Sequence, residues 1–233
     1  MRAAVVIPVY NHRERVAEVV RQAMALGLPV LVVDDGSTDG TAAVLATLAG
    51  ITVLRHPVNL GKGAALLTGF AAAAPNCDWA LTIDGDGQHN PADGTALLAA
   101  AGRGDRVIVV GRRQGMSGKH VPWTSRFGRL FSNFWVWAAG GPLLADSQSG
   151  FRLYPLPETL NLDVRARRYQ FEVEVLVRAC RRGLATVEVP VQVVYQPKGV
   201  RVSHFRPWLD FGRNSATFAR LICSRLFRTD RRR

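Results

Sequence analysis

The first half of the chain alternates short apolar runs with segments whose apolar residues recur every three or four positions. The valine-rich runs have the length and composition of buried strands: they span residues 3–9, 29–35, 51–56, 79–84 and 106–111. The segments between them have helical periodicity, at 15–26, 41–49, 61–74 and 91–103. Continuous apolar strands that alternate with helices predict an α/β fold, with a mostly parallel sheet that is covered on both faces.

The second half of the chain is less regular. Residues 125–155 are rich in aromatic side chains, and Gly140, Gly141 and Pro142 interrupt an apolar run that is too short to span a bilayer as a helix. A helix is predicted at 172–182 and an alternating strand at 185–195. These patterns predict one domain over residues 1–199, with halves at 1–111 and 112–199, followed by a separate segment at 200–233.

The last segment has the pattern of a basic amphipathic helix. Six side chains share one of its faces: Trp208, Phe211, Ser215, Phe218, Ile222 and Leu226. Such a helix either lies at a membrane interface or docks on its own domain through the apolar face. The pattern leaves both interpretations open.

Charge is unevenly distributed along the 233 residues. The net charge is −2 over residues 1–111 and +14 over residues 112–233, which gives +12 for the whole chain. A basic half points to an anionic partner, although an arginine-rich genome composition would also produce it. The three cysteines form no CxxC pair, so we expect a reducing, cytoplasmic setting, and the first apolar run is predicted to be a strand and not a signal peptide.

The sharpest chemical signal is the stretch DGDGQ after the fourth predicted strand. Asp84 and Asp86 are separated by a single glycine, and the amide of Gln88 follows. Parallel sheets bind ligands beyond the carboxyl ends of their strands, and hard divalent cations prefer such oxygen ligands. The spacing favours a Mg²⁺ or Mn²⁺ site that holds a diphosphate, with a solvated Asx turn as the alternative. An EF-hand is excluded because loop position twelve is Thr95.

A second acidic cluster follows the second predicted strand. Asp35 is placed to accept hydrogen bonds from a base or a ribose, while helix capping by the cluster 34–39 is the alternative. No GxGxxG motif follows the first strand, and residues 56–63 do not form a Walker loop. The sequence has no recognised nucleic-acid-binding motif, so we expect no nucleic-acid partner.

An ordered set of motifs covers most of the chain. The segments are VIPVYN (6–11), VVDDGSTDGT (32–41), NLGKGAAL (59–66), DGDGQH (84–89), GRR (111–113) and DSQSGFRLYP (146–155). With these motifs the chain resembles the family 2 glycosyltransferases of GT-A fold. It is especially similar to the polyprenol-phosphate sugar transferases of the dolichol-phosphate mannosyltransferase type.

This resemblance implies roles for matching residues. The positions that match a donor-binding set are Pro8, Tyr10, Asn11, Val33, Asp35, Asp84, Gly85, Asp86, Gln88, Arg112 and Arg126. Within it, four positions match those that hold the nucleotide base and ribose: Pro8, Tyr10, Val33 and Asp35. Residues 84–86 match the DxD element, with Asp86 and Gln88 as metal ligands and Asp84 close to the sugar nucleotide.

The resemblance also implies an acceptor side. Arg112 matches an arginine at the diphosphate or the acceptor phosphate, and Arg126 and Asn133 match a helix beside the lipid phosphate. Residues 149–152 match a segment near the sugar. His12 stands where the family usually has Glu, and Gln196 and His204 stand where mannosyltransferases have basic residues, which weakens any expectation of GDP-mannose.

The function implied is a metal-dependent, inverting transfer from a UDP- or GDP-sugar to a lipid acceptor, with polyprenyl phosphate as the expected acceptor. Asp84, Asp86 and Arg112 are the expected catalytic residues, and Asp146 is the candidate base if the acceptor is a hydroxyl. The alternatives are a hydroxyl acceptor in cell-surface lipid or polysaccharide assembly, a nucleotidyltransferase, and a non-catalytic protein that binds anionic surfaces. We expect a peripheral location on the inner face of the cytoplasmic membrane.

Overall fold

The computed structural model describes residues 1–101, 105–114, 123–193 and 207–226; for residues 123–126 and 207–211 it describes the backbone alone. The departures noted at Gln196 and His204 therefore lie outside the described residues.

A mixed sheet of seven strands forms the centre of the described fold. The strands are β1 Ala3–Val9, β2 Val30–Asp34, β3 Thr52–Arg55, β4 Trp79–Thr82, β5 Val107–Arg113, β6 Arg152–Pro155 and β7 Ala185–Val191. Their order is β3-β2-β1-β4-β6-β5-β7, and β6 runs antiparallel to both of its neighbours while the other pairs are parallel. The predicted mostly parallel α/β fold is confirmed.

The described part of the chain contains eight α-helices, of which the last follows β7. They are α1 Val16–Met24, α2 Thr41–Ala46, α3 Lys62–Ala73, α4 Gly94–Ala101, α5 Trp123–Ala138, α6 Leu156–Leu160, α7 Phe171–Arg181 and α8 Pro207–Leu226. A 3₁₀ turn, Pro91–Asp93, precedes α4, with proline at its first position.

The expectation of irregular structure over 125–155 is wrong at both ends. Helix α5 occupies the first part, and β6 occupies residues 152–155. Aromatic residues on both the buried and the exposed side of α5 obscure its helical periodicity. A strand of four fully buried residues is too short for a period to be visible.

Two hydrophobic cores lie on opposite faces of the sheet. Alternation along β1 places Ala4 and Val6 in one core and Val5 and Ile7 in the other. Helices α3, α5, α7 and α8 cover the first face, and α1, α2 and α4 cover the second. The sheet is thus buried on both sides, as its continuous apolar strands require.

Helix α8 docks on the domain. Phe218 and Leu221 are 2% and 1% exposed within the first core, and Asn214 and Thr217 are also buried. The predicted apolar face was wrong in part, because the buried line runs through 214, 217, 218 and 221, while Leu226 is 72% exposed. The described side chains of this helix therefore agree with the interpretation that it docks on its own domain. Within the described residues no helix is long and apolar enough to cross a membrane.

A buried carboxylate holds α8 in place. Glu174 of α7, whose side chain is fully buried, accepts hydrogen bonds from Arg178 Nε and Arg220 Nη2, each at 2.7 Å. It also accepts from the backbone of Ala166 at 2.9 Å and of Arg165 at 3.3 Å. One side chain therefore joins two helices and the loop before α7.

We expect Glu174→Ala to lower the free energy of unfolding by about 3–5 kcal/mol, because it leaves buried arginine and amide donors without their acceptor. Urea denaturation measures this change. The matched control is Glu158→Ala, which removes a half-exposed ion pair with Arg106 and should cost no more than about 1 kcal/mol. Equal losses in the two variants would contradict the role assigned to Glu174.

Candidate active site

The loops after β1 and β2 interlock at the carboxyl edge of the sheet. Ser37 Oγ accepts a hydrogen bond from the Asn11 amide at 2.9 Å, and Asn11 Oδ1 accepts from the Thr38 amide at 2.8 Å. The φ of Asn11 is 54°, a left-handed conformation that asparagine tolerates well. The expected donor-binding positions Tyr10 and Asn11 thus belong to a fixed turn.

Asp35 ties this edge to the loop before α3. It is 2% exposed, and its carboxylate accepts from the amides of Leu60 and Gly61 at 2.9 and 2.8 Å. Its Oδ1 is also 2.7 Å from His56 Nδ1. Three of roughly four lone-pair positions are occupied by the protein. A base or ribose would have to use the remaining one.

Pro8 and Val33 are partners across the β1–β2 register at this edge. Val33 is fully buried, so it supports the edge from beneath and presents no surface to a ligand. The geometry favours a supporting role for Val33, and the implied contact with the donor stays a prediction.

Asp84 lies in a three-membered ion cluster. Lys62 Nζ is 2.6 Å from Asp84 Oδ1 and 2.5 Å from Glu172 Oε1, and all three side chains are mostly buried. Burial alone would lower the pKa of Lys62, but the two carboxylates reverse the effect and raise it. Burial would likewise raise the pKa of Asp84, and the lysine beside it instead holds that pKa below its usual value. Both shifts favour an ionised Lys62–Asp84 pair at neutral pH.

Neither Lys62 nor Glu172 was predicted as a site residue. The available signal was a lysine in the first turn of α3, where the helix dipole disfavours a cation unless carboxylates are close. Glu172 lies in the first turn of α7, which is 110 positions away in sequence. No local pattern predicts that contact.

The backbone of Gly150 lies directly on this cluster. A Cβ atom at Gly150 would be 2.5 Å from both Asp84 Oδ2 and Lys62 Nζ, so only glycine fits. The Gly150 carbonyl accepts from Thr82 Oγ1 at 2.7 Å. The segment 149–152, which the resemblance implied to be near the sugar, thus lies against Asp84.

Arg152 fixes that segment. It is fully buried and donates to the carbonyls of Ser147, Ser149 and Glu172 at 2.8, 2.6 and 2.8 Å. A buried guanidinium that spans these carbonyls holds the loop before β6 against the start of α7.

The rest of the DGDGQ loop folds back on Asp86. The Asp86 Oδ1 atom accepts a hydrogen bond from the backbone amide of Gln88 at 3.0 Å, and Asp86 Oδ2 accepts one from Gln88 Nε2 at 2.6 Å. Gly85 packs on the end of β1, where a Cβ would be 3.0 Å from Val9 and 3.5 Å from the Pro8 carbonyl. The loop therefore adjoins the β1 turn.

The donor set of this loop suits a hard divalent cation. Asp84, Asp86 and Gln88 offer only carboxylate and amide oxygens, which Mg²⁺ and Mn²⁺ prefer, and Lys62 already neutralises the first of them. No three acidic, histidine or cysteine side chains in the described part of the chain form a closed metal cage. The residues fit a cation that takes most of its ligands from phosphate and water.

Asp146 forms an ion pair. Its buried carboxylate accepts from Arg113 Nε at 2.7 Å, Arg113 Nη2 at 2.8 Å and the Arg113 amide at 3.1 Å. Burial would raise its pKa, but these contacts hold the pKa below the usual value. A buried, paired carboxylate with a lowered pKa is a weak base. The geometry favours a structural role for Asp146, and its assignment as candidate base stays a prediction.

The three residues expected at the acceptor side have different surroundings in the structure. Arg112, at the end of β5, is exposed, while its neighbour Arg113 takes the ion pair. The side chain of Arg126 is outside the described residues. Asn133 on α5 donates to the Ala145 carbonyl at 2.8 Å and accepts from the Ser147 amide at 2.9 Å, so it positions the loop that contains Asp146.

His89 is buried at the end of the same loop. Its ring centre is 5.2 Å from that of Phe151, and Nδ1 has no hydrogen-bond partner among the described residues. Burial lowers its pKa to about 4. His89 is therefore neutral at pH 7, a feature that the sequence left unassigned.

Residues 4–155 match the family model described as Glycosyl transferase family 2, over more than half of the chain. The chain belongs to this family. The matched region runs from β1 to β6 and contains the DGDGQ loop, Lys62 and the segment over the ion cluster. The enzyme is thus a glycosyltransferase, and the non-catalytic interpretation is wrong.

Named relatives extend over most of both chains. This glycosyltransferase is 30% identical to the UDP-N-acetylglucosamine–dolichyl-phosphate N-acetylglucosaminyltransferase of Methanococcus voltae, over 82% of this chain and 84% of that one. It is 32% identical to the undecaprenyl-phosphate mannosyltransferase of Micrococcus luteus, over 85% and 86%. Among solved structures, the mannosyl-3-phosphoglycerate synthase of Rubrobacter xylanophilus aligns with a TM-score of 0.66 at 18% identity, over 100% of this chain and 76% of that one. That likeness bears on the fold, which is of GT-A type.

We expect Lys62→Met to destabilise the enzyme by about 3–5 kcal/mol at pH 7, because two buried carboxylates then face each other without a cation. Their pKa values should rise in the variant, so its deficit against the wild type should shrink as the pH is lowered toward 4. Denaturation at several pH values measures both effects. Lys62→Arg, which keeps the charge, is the control, and a deficit that does not depend on pH would contradict the ion cluster.

The pKa of His89 is 6.5 in an ordinary setting and about 4 in the folded enzyme. We therefore expect the metal-free enzyme to lose stability as the pH falls from 6.5 to about 4. In that window the unfolded chain binds a proton at His89 that the folded chain does not, so stability rises with pH by at most ~1.4 kcal/mol per pH unit. His89→Phe, with its ring beside Phe151, should flatten this part of the stability profile. Identical profiles in EDTA would show that His89 already carries its proton in the fold.

Proposed function

We propose that this family 2 glycosyltransferase transfers a sugar from a nucleotide-diphosphate sugar to a polyprenyl phosphate. One observation carries the proposal: relatives that cover more than four fifths of both chains are named for dolichyl-phosphate and undecaprenyl-phosphate acceptors. The match spans the carboxyl edge of the sheet, where all the loops described above converge.

The donor is proposed to lie across the β1, β2 and β4 ends. The fixed turn at Tyr10 and Asn11 faces the nucleoside, and the Asp84–Gln88 loop faces the diphosphate. Asp84 is oriented by Lys62 and covered by Gly150, so it serves the sugar side of the donor. Asp86 and Gln88 are left for the cation.

Mg²⁺ or Mn²⁺, held by Asp86 and Gln88, would neutralise the negative charge that develops on the departing nucleoside diphosphate. Hydrogen bonds and ion pairs within the protein fix the residues that would surround the donor. Lys62 fixes Asp84, Arg152 fixes the segment over the sugar, and Asn133 fixes the loop that follows α5. Such preorganisation places the anomeric carbon for in-line attack.

A phosphate acceptor suits this site better than a hydroxyl. It is already anionic, so it needs no general base, and Asp146 is occupied by Arg113. The cost of a second phosphate is repulsion from the donor. Arg112, exposed at the end of β5, and the +14 charge of residues 112–233 are suited to offset it.

The donor nucleotide is identified by a thermal-shift screen of UDP- and GDP-sugars, each with and without Mn²⁺. The stabilising donor is then assayed for transfer to polyprenyl phosphate in detergent. We expect stabilisation that requires the cation, followed by transfer to the lipid phosphate. A donor that stabilises the enzyme but is transferred only to hydroxyl acceptors would overturn the acceptor assignment.

We expect Asp86→Asn to lower the transfer rate by at least ~10³-fold, because the anionic cation ligand is lost while the loop hydrogen bonds remain possible. The Mn²⁺-dependent part of the donor-induced shift in Tm should disappear with it. Asp163→Asn, which removes the same charge from an exposed carboxylate far from the loop, is the control. Full turnover by Asp86→Asn without any cation would refute the metal-dependent mechanism.

The acceptor also implies a location. A polyprenyl phosphate is anchored in a bilayer, so the enzyme is proposed to work peripherally at the inner face of the cytoplasmic membrane.

A further inference from the structure

Helix α5 presents a line of large apolar side chains to solvent. Phe127, Leu130, Phe134 and Trp137 are 54%, 65%, 55% and 53% exposed, and we call them the α5 stripe. Their spacing of three, four and three residues puts them on one helical face. The opposite face is buried, with Ser132 and Val136 fully inaccessible. Large aromatic side chains that stay in water along a whole helix mark an interaction surface.

The apolar surface continues beyond the helix. Leu143, in the loop that follows α5, is 82% exposed, and Leu226 at the end of α8 is 72% exposed. Arg225 joins the two ends, because its Nη1 donates to the Ala138 carbonyl at 3.0 Å beside Trp137. A cation therefore borders the stripe at its carboxyl end.

The charge of this region selects the partner. Residues 106–145 contain no aspartate or glutamate, but they contain five arginines and one lysine. A second copy of the chain also has a net charge of +12 and would be repelled at low salt. Apolar side chains among cations match the acyl and headgroup layers of an anionic bilayer.

The buried side of α5 leads to the proposed sugar site. Ser132 Oγ is 2.9 Å from Ser147 Oγ, and Asn133 exchanges two hydrogen bonds with residues 145 and 147. Three residues further along the same loop, Gly150 covers Asp84. One helix thus faces solvent with its apolar stripe and holds the loop of the site with its polar side.

We propose that the α5 stripe, together with Leu143 and Leu226, is the surface through which the enzyme lies on an anionic membrane. The helix lies in the interface plane with its aromatic and leucine side chains among the upper acyl chains. Trp137 and Arg225 sit at headgroup level, where such amphipathic side chains are favoured. If the acceptor is a polyprenyl phosphate, its phosphate would reach the site at this interface, and this consequence rests on the proposed function. Membrane binding through the stripe does not depend on the proposed function.

The test is co-sedimentation of the full chain with vesicles that contain phosphatidylglycerol, and with vesicles of phosphatidylcholine alone. We expect the wild type to bind the anionic vesicles more tightly, and Leu130→Ser/Phe134→Ser to weaken that binding by at least about tenfold. The matched control is Val53→Ser/Val187→Ser, which removes exposed apolar side chains on strands at the two edges of the sheet and should bind like the wild type.

Equal vesicle binding by the stripe variant and the wild type would overturn the proposal, as would a wild type that binds neither vesicle. A stripe variant that changes from dimer to monomer in sedimentation velocity, with vesicle binding unchanged, would also overturn it in favour of a second copy.

A short-chain, water-soluble prenyl phosphate separates this proposal from the proposed function. If the stripe variant keeps transfer to that acceptor in solution and loses vesicle binding, the surface is supported as a membrane contact and the variant is shown to be folded. If the wild type transfers no sugar to any prenyl phosphate while its vesicle binding still depends on the stripe, the acceptor assignment fails and the surface stands.

Discussion

The ion cluster of Lys62, Asp84 and Glu172 is the contact on which the site depends. It joins the start of α3, the end of β4 and the start of α7, so one ammonium group contacts carboxylates from both halves of the chain. A lysine so deeply buried persists only because two carboxylates compensate its lost hydration. Once Asp84 is held in this way, the backbone of Gly150 can close over it, and Arg152 can fasten the loop behind. Breaking the cluster would therefore disturb the sugar side of the site before it disturbed either core.

This arrangement explains why two aspartates one residue apart have different surroundings. Asp84 is paired with Lys62, whereas Asp86 accepts hydrogen bonds from the backbone amide and the side-chain amide of Gln88. The backbone can turn here because a glycine follows each aspartate, and Gly87 has a φ of 72°.

The sequence was informative wherever a pattern is local. Strand periodicity, the glycine-rich turns and the position of DGDGQ at a strand end predicted the sheet and its functional edge. Contacts between distant parts of the chain were not predictable in this way. Glu172 reaches Lys62 across 110 positions, and Glu174 reaches Arg220 across 46, because tertiary packing alone brings them together. The surroundings of Asp146 beside Arg113 and of Asp35 beneath the loop before α3 are likewise tertiary contacts that no local pattern predicts.

Hydrophobic pattern also could not separate buried from exposed faces in the second half. Both α5 and α8 are amphipathic and basic, and the sequence left membrane binding and docking open for α8. In the structure α8 buries Phe218 and Leu221 in the first core, where Phe218 packs on Phe131 and Trp135 of α5, while four large side chains on the other face of α5 stay exposed. The physical reason is partner availability. Glu174 and Arg181 of α7 anchor α8 through Arg220 and the carbonyl of Leu221. Helix α5 holds the loop at 145–147 through Ser132 and Asn133, and the α5 stripe stays exposed on its other side.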